Sequence, residues 1–228
     1  MAKPSRTPPS KTPKVKTRDR ILKTSLALFN SEGEAQVSTV DIAAVLGISP
    51  GNLYYHFRGK EAIIEALFDE FETELRQVLS APIEKPLSLE DNWIFIYIIF
   101  EEINDFRFFY EGMSSILERC PALRARVARL LTLKKTTTLA ILDSLEKQRL
   151  VAFFADEKDR LADRIAAHLT FWLQYRALTK KEESDRARIH DGVYSAILQT
   201  APYVVAGREE YLKGAGAYFA KQGAARSK

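Results

Sequence analysis

Cysteine is almost missing from this chain. Cys120 is the only one in 228 residues, which excludes an internal disulfide, and with three scattered histidines (56, 168 and 190) it offers no ligand set for a structural metal. Long apolar runs are missing too. The longest, Trp93 to Phe100, falls far short of the about 18 to 20 residues that span a bilayer, so no membrane partner is expected. The N-terminus has no apolar core of the secretory kind, and a cytoplasmic protein is the expectation. No glycine-rich phosphate loop occurs, and no serine or cysteine stands at a spacing from a histidine that suggests activation. No catalytic residue and no cofactor are therefore expected, and the chain does not read as an enzyme.

What the chain does have is uneven charge. The net charge of +4 conceals a first segment, residues 1–60, with ten Lys and Arg against four acids, followed by 61–76 with one against six. Residues 77–207 balance at eighteen each. Positive charge concentrated at one end is the electrostatic footprint of a nucleic-acid module. The first sixteen residues hold four prolines, five basic residues and no acid. They cannot build a core and read as a disordered basic arm, either simply solvated or lying along DNA.

Residues 38 to 60, STVDIAAVLGISPGNLYYHFRGK, read as two short helices joined by a glycine turn. Ser38 with Asp41 forms a capping box, Ile42, Ala43, Val45 and Leu46 give an apolar stripe, and Gly47 stops the helix. Ser49 caps the next helix and Pro50 suits its first position. Leu53 and Phe57 anchor one side of that helix, leaving Asn52, Tyr54, Tyr55 and His56 to project elsewhere. Such a helix fits the major groove of double-stranded DNA.

The string LGISPGNLYYHFRGKEAI, with Gly47, Leu53, Tyr54, His56, Phe57 and Lys60 in place, resembles the signature of the tetracycline-repressor family of bacterial transcription regulators. The resemblance covers about residues 17 to 72. It implies phosphate contacts at Thr39, Tyr54, His56 and Lys60, and base edges within reach of Val40, Pro50, Gly51, Asn52 and Tyr55. It also implies a homodimer on a palindromic operator, a helical C-terminal domain with an inducer pocket, and repression released by a small molecule as yet unidentified. The alternative of another class is a small-molecule-binding or helical interaction protein in which the helix-turn-helix is structural.

The rest of the chain has helical period throughout, so the expected fold is all-α. Its parts are a basic arm (1–16), a three-helix DNA-binding domain (17–79), and a helical regulatory and dimerisation domain (80–228). A helix from Lys60 to about Ser80 joins the last two. Further helices are expected near 88–105, 107–119, 122–149, 157–179, 184–200 and 208–221. The run WIFIYIIF suits a buried strand by composition, but the Ser88/Asp91 capping box and a pattern that continues past it favour helix. Its aromatics either pack a core or line a cavity; Tyr97, Tyr110 and Tyr175 are the candidates for polar contacts in a pocket. Leu161, Ile165, His168, Leu169 and Trp172 share one helical face, and Ile189, Val193, Ala196 and Ile197 another. These faces serve either as a dimer interface or as intrachain core.

Overall fold

The computed structural model describes residues 16–81, 85–179 and 184–214. Among them the backbone is helical, and the only β feature is an isolated antiparallel bridge between Val151 and Val204. A head is made by α1 (Thr17–Glu32), α2 (Thr39–Leu46), α3 (Pro50–His56) and the start of α4 (Lys60–Leu79). The body contains α5 (Leu89–Asp105), α6 (Arg107–Glu111), α7 (Met113–Arg119), α8 (Leu123–Lys147), α9 (Glu157–Thr179) and α10 (Asp185–Thr200). No described helix is long and apolar enough to cross a membrane.

Local signals explain most of these boundaries. At α5 the Asp91 amide donates to Ser88 Oγ at 3.0 Å and the Ser88 amide to Asp91 Oδ2 at 2.8 Å. That reciprocal cap, with the aliphatic face of Ile96, Ile99, Phe100 and Ile103 buried, makes the β-branched run helical. One expected element differs: the helix over 107–119 breaks into α6 and α7. At Gly112 (φ −102°, ψ 11°) the chain turns, and a Cβ there would stand 3.2 Å from the Phe108 carbonyl oxygen. Of the expected tail helix, 208–214 is helical and the remainder lies outside the described residues, as does the arm through residue 15.

The apolar core runs without a break from head to body. In the head it holds Ile21, Phe29, Ile42, Leu53, Ile63 and Leu67; in the body Phe100, Leu123, Leu161, Leu169, Val193 and Ile197, every one at most 2% exposed. Each such side chain contributes about 1.5–3 kcal/mol on burial. The Phe29 and Phe108 rings meet at 5.3 Å where α1 abuts α6. In the body, α10 lies so close to α5 and α9 that a Cβ at Gly192 would come within 2.7 Å of Trp172 and 2.8 Å of Phe100.

Candidate nucleic-acid interface and effector region

The head presents its recognition helix through local chemistry alone. Ser38 and Asp41 close the start of α2: Asp41 N–H donates to Ser38 Oγ at 3.2 Å, while the Ser38 hydroxyl (2.6 Å) and amide (2.8 Å) donate to Asp41 Oδ2 and hold its carboxyl below its usual range. Gly47 ends α2 in the left-handed region (φ 65°, ψ 34°), and the Ile48 amide returns to the Ala43 carbonyl. Ser49 Oγ accepts from the Asn52 amide at 3.1 Å, and Pro50 occupies the first turn of α3. Ile42, Leu53 and Phe57 anchor the two helices from beneath.

That anchoring turns the opposite face outward. Val40 (58% exposed) and Tyr55 (80%) have little cover in the chain, Tyr54, Pro50, Gly51 and Asn52 are exposed as well, and Thr39 and His56 are half-buried. A Cβ at Gly51 would meet only Ser49 Oγ at 3.9 Å, so the fold itself does not demand glycine there. The sequence reading missed Arg58, whose guanidinium stands 5.0 Å over the Tyr54 ring. The local excess of basic residues was the available signal.

Lys60 lies elsewhere than the resemblance implies. Its ammonium turns inward, donating to the carbonyls of Glu34 (2.9 Å) and Val37 (3.1 Å) and forming an ion pair with Glu34 Oε1 at 2.9 Å. Spacing along a helix gives the face of a residue, but a long side chain at a helix start can fold back to any carboxylate within reach, and Glu34 is 26 positions away. Arg119 of α7 grips the same Glu34 and also reaches Glu61 at 3.3 Å. Asn30 adds a second tether: its amide donates to the Asp105 carbonyl (2.7 Å) and its oxygen accepts from the Phe108 amide (3.0 Å).

The three candidate pocket tyrosines occupy three different environments. Tyr97 lines an open cleft of about 470 Å³ between α5 and α10, with Glu101, Glu102, Asp105, Asp185 and His190. Burial and neighbouring carboxylates push the Glu102 and Asp105 carboxyls up. Tyr110 is 3% exposed, and its hydroxyl sits 3.1 Å from Lys134 Nζ. Tyr175 is 56% exposed and lies over Trp172. Periodicity identified aromatic helices without saying which face met which neighbour.

The same ambiguity decides the proposed interface. Leu161, Ile165, Leu169, Ile189, Val193, Ala196 and Ile197 are all 8% exposed or less, packed in the seam of α9, α10 and α5. His168 Nε2 bonds the Gly192 carbonyl at 2.8 Å, and Trp172 Nε1 donates to the Arg188 carbonyl at 3.1 Å. Burial holds the His168 pKa below its usual value. These nine residues are intrachain core or its margin. The apolar side chains that α9 and α10 leave exposed are others: Phe171, Tyr175, Leu178, Tyr194 and Leu198.

Comparison with known proteins follows this division of the chain. Residues 21–67 match the family model described as bacterial regulatory proteins of the tetR family, and residues 70–212 match one described as bacterial transcriptional repressor. Over 47 residues the chain is 45% identical to the uncharacterized HTH-type transcriptional regulator YerO of Bacillus subtilis, covering 21% of this chain and 16% of that protein. Over 68 residues it is 37% identical to the HTH-type transcriptional regulator UidR of Escherichia coli strain K12, covering 30% of this chain and 35% of UidR. The match thus spans about a sixth to a third of these curated relatives. A TetR-family transcriptional regulator from Marinobacter aquaeolei VT8, solved as a crystal structure, is 30% identical with a TM-score of 0.81, over 90% of this chain and 99% of that one. With the head and most of the body each matched by a model, and a solved relative superposed along almost its whole length, this chain belongs to the tetR family of bacterial transcriptional regulators.

Proposed function

We propose that the protein is a homodimeric repressor that acts in the cytoplasm, holds a palindromic operator through α2, α3 and the start of α4, and lets go when a small molecule binds the body. The observation that carries this reading is the face of α3. It is exposed, polar and aromatic, anchored from behind, and carries in its first turn a glycine, Gly51, that the fold does not need. Asn52 has the amide geometry to pair with adenine, and Pro50, Val40 and Tyr55 the surface to touch thymine methyls; α3 holds no arginine for guanine. The division near residue 80 into a DNA-binding and a regulatory domain belongs to the same reading, with α4 as the rod shared by both.

Dimerisation is assigned to the exposed stripe of Phe171, Tyr175 and Leu178 on α9 with Tyr194 and Leu198 on α10. Two copies meeting there form a four-helix bundle. Successive major grooves require recognition helices about 34–36 Å apart or a multiple of it. Leu178→Glu yields monomer by sedimentation and weak operator binding, whereas a dimer that persists overturns the interface.

Retardation of the DNA fragment upstream of the protein's own gene, abolished by salt, tests the whole reading. Asn52→Ala costs about 1–3 kcal/mol on the operator and relaxes choice at one base pair per half-site. Equal losses on operator and random DNA rule out base reading by Asn52.

A further inference from the structure

Lys134 stands in the middle of α8, 2% exposed, in the centre of the body. Its Nζ lies 3.1 Å from Tyr110 Oη on α6 and 3.1 Å from Thr170 Oγ1 on α9, with no carboxylate in ion-pair reach among the described residues. Other well-covered cations have one: Arg176 pairs with Asp191 at 3.0 Å, and Lys60 with Glu34. The surroundings are aromatic. The Tyr110 ring meets Phe71 at 5.6 Å and Phe109 at 6.1 Å, and Phe71 meets Phe106 at 5.3 Å.

The hydrogen inventory of this cluster leaves fewer donors unmatched in one protonation state than in the other. Thr170 spends its hydroxyl proton on the Ala166 carbonyl at 2.8 Å. If Lys134 is a neutral amine, Tyr110 O–H donates to the nitrogen lone pair and one N–H donates to Thr170, which leaves only the second, weakly donating amine N–H without an acceptor. If Lys134 is an ammonium, both hydroxyls accept from it, and the Tyr110 proton and a third N–H are left without an acceptor. Burial pushes the Lys134 pKa down to about 7, where both states are populated near neutral pH. The titratable group facing it is Tyr110, whose own pKa burial raises. Neighbouring charges are engaged elsewhere: Lys135 with Asp159 and Asp163, Glu72 on α4 with Arg76 and Arg126.

We propose that Lys134, Tyr110 and Thr170 form the anchor for the acid group of a monoanionic, otherwise apolar effector, a carboxylic acid by chemistry. The ammonium state leaves two donors without acceptors, and a carboxylate supplies two oxygens to accept them. One cation balances one negative charge, so a dianionic phosphate is disfavoured. The aromatic wall suits an alkyl or aryl body. This assignment rests on the reading of the body as an effector domain and names the class of effector.

The anchor also touches the route to the head. Tyr110 and Phe108 share the five-residue helix α6, which its flanking residues Phe106 and Gly112 do not cap with a side chain. Phe108 is the residue that meets Phe29 and gives its amide to Asn30. An acid that draws Tyr110 toward itself and needs room for its body therefore displaces the segment on which α1 rests.

Octanoate serves as probe, with octanol and octylamine as neutral and cationic matches, read by calorimetric titration and thermal shift on the full chain. Octanoate is expected to bind at least tenfold more tightly than octanol, with proton uptake at pH 8. Lys134→Met is expected to weaken octanoate by about ten- to a hundredfold while melting no lower than the parent. If Lys134→Met does not fold, Tyr110→Phe, which removes one hydroxyl, carries the test with a smaller loss. Equal binding of octanol and octanoate, undiminished octanoate binding in the variant, or no response to octanoate and benzoate overturns the anchor. The upstream DNA fragment separates the two readings. Carboxylate binding through Lys134 without retarded DNA leaves the anchor standing and removes the repressor; retarded DNA with no carboxylate preference does the reverse.

Discussion

Where head meets body, a carboxylate only 4% exposed, Glu34, lies between two cations, Lys60 at 2.9 Å and Arg119; in the body core, Lys134, buried as deeply, faces two hydroxyls. Both sites bury charge, but they hold it differently. At the joint, opposite charges and two backbone carbonyls compensate the ammonium of Lys60, so the arrangement fixes how α4 leaves the α1–α2 turn. At Lys134 no carboxylate among the described residues compensates an ammonium, which has only two hydroxyls and the Tyr110 ring face at 5.0 Å, and burial lowers its pKa to about 7. The joint is built to stay as it is, and the core site to change when a charge arrives.

Breaking the joint produces the largest effect. Glu34→Ala leaves Lys60 with two carbonyls and no carboxylate, and Arg119 with only the exposed Glu61, and should lower unfolding free energy by about 3–5 kcal/mol in denaturant titration. A loss below about 1 kcal/mol would mean that water reaches the joint and that it fixes nothing. Glu34→Gln, which keeps shape and loses charge, should fall between the variant and the parent.

Lys134→Met changes stability in the opposite direction. The unfolded lysine titrates near its ordinary 10.5 and the folded one at about 7. Between those values the unfolded chain holds a proton that the folded chain lacks, so stability falls as pH drops from 10.5 toward 7 and levels off below. Methionine removes this slope. The variant should gain about 2–4 kcal/mol at pH 7, fading as pH nears 10, and equal gains at both pH values would deny the buried charge its part.

The smallest effect belongs to a third ion site, between these two in position. Arg126 of α8 reaches α4 at Glu72 and, at 2.7 Å, at Asp69, whose side chain is 64% exposed. Asp69→Ala should cost less than about 1 kcal/mol, since solvent already screens that partner. Burial resists ionisation of Glu72, yet hydrogen bonds from Arg76 and Arg126 hold its carboxyl below the usual range. Its contribution is present above about pH 4.5 and lost as pH falls through its folded value. A thermal melt series from pH 6 to 3 checks this.

How much of this was legible depends on sequence distance. Ser38 with Asp41, Gly47, and Ser49 with Pro50 act within four residues of one another, and the structure shows each cap and turn that their spacing implies. The outward face of α3 follows, because a seven-residue helix pinned by Leu53 and Phe57 has only one other side. Lys60 departs from expectation because its partner lies in a different segment. Tyr97, Tyr110 and Tyr175 are scattered, and of the two roles the sequence left open for those faces of α9 and α10, interface or core, they pack as core, because among the described helices of the body most apolar faces have a neighbour. Nothing in the sequence singled out Lys134, one of five basic residues from position 124 to position 135 spaced as on an ordinary solvated helix.

The sequence by itself determined the helical class, the head with its recognition helix, the length of α4 and the family, because capping, turn chemistry and helical period act over a few residues and need no partner. Tertiary structure alone decided which apolar faces met, where Lys60 turned, that α6 and α7 separate at Gly112, and that one lysine of α8 lies dry between two hydroxyls. Those outcomes depend on which side chain arrives opposite another across tens of residues, and burial, which sets the energy of a charge or an apolar face, exists only after the helices have packed.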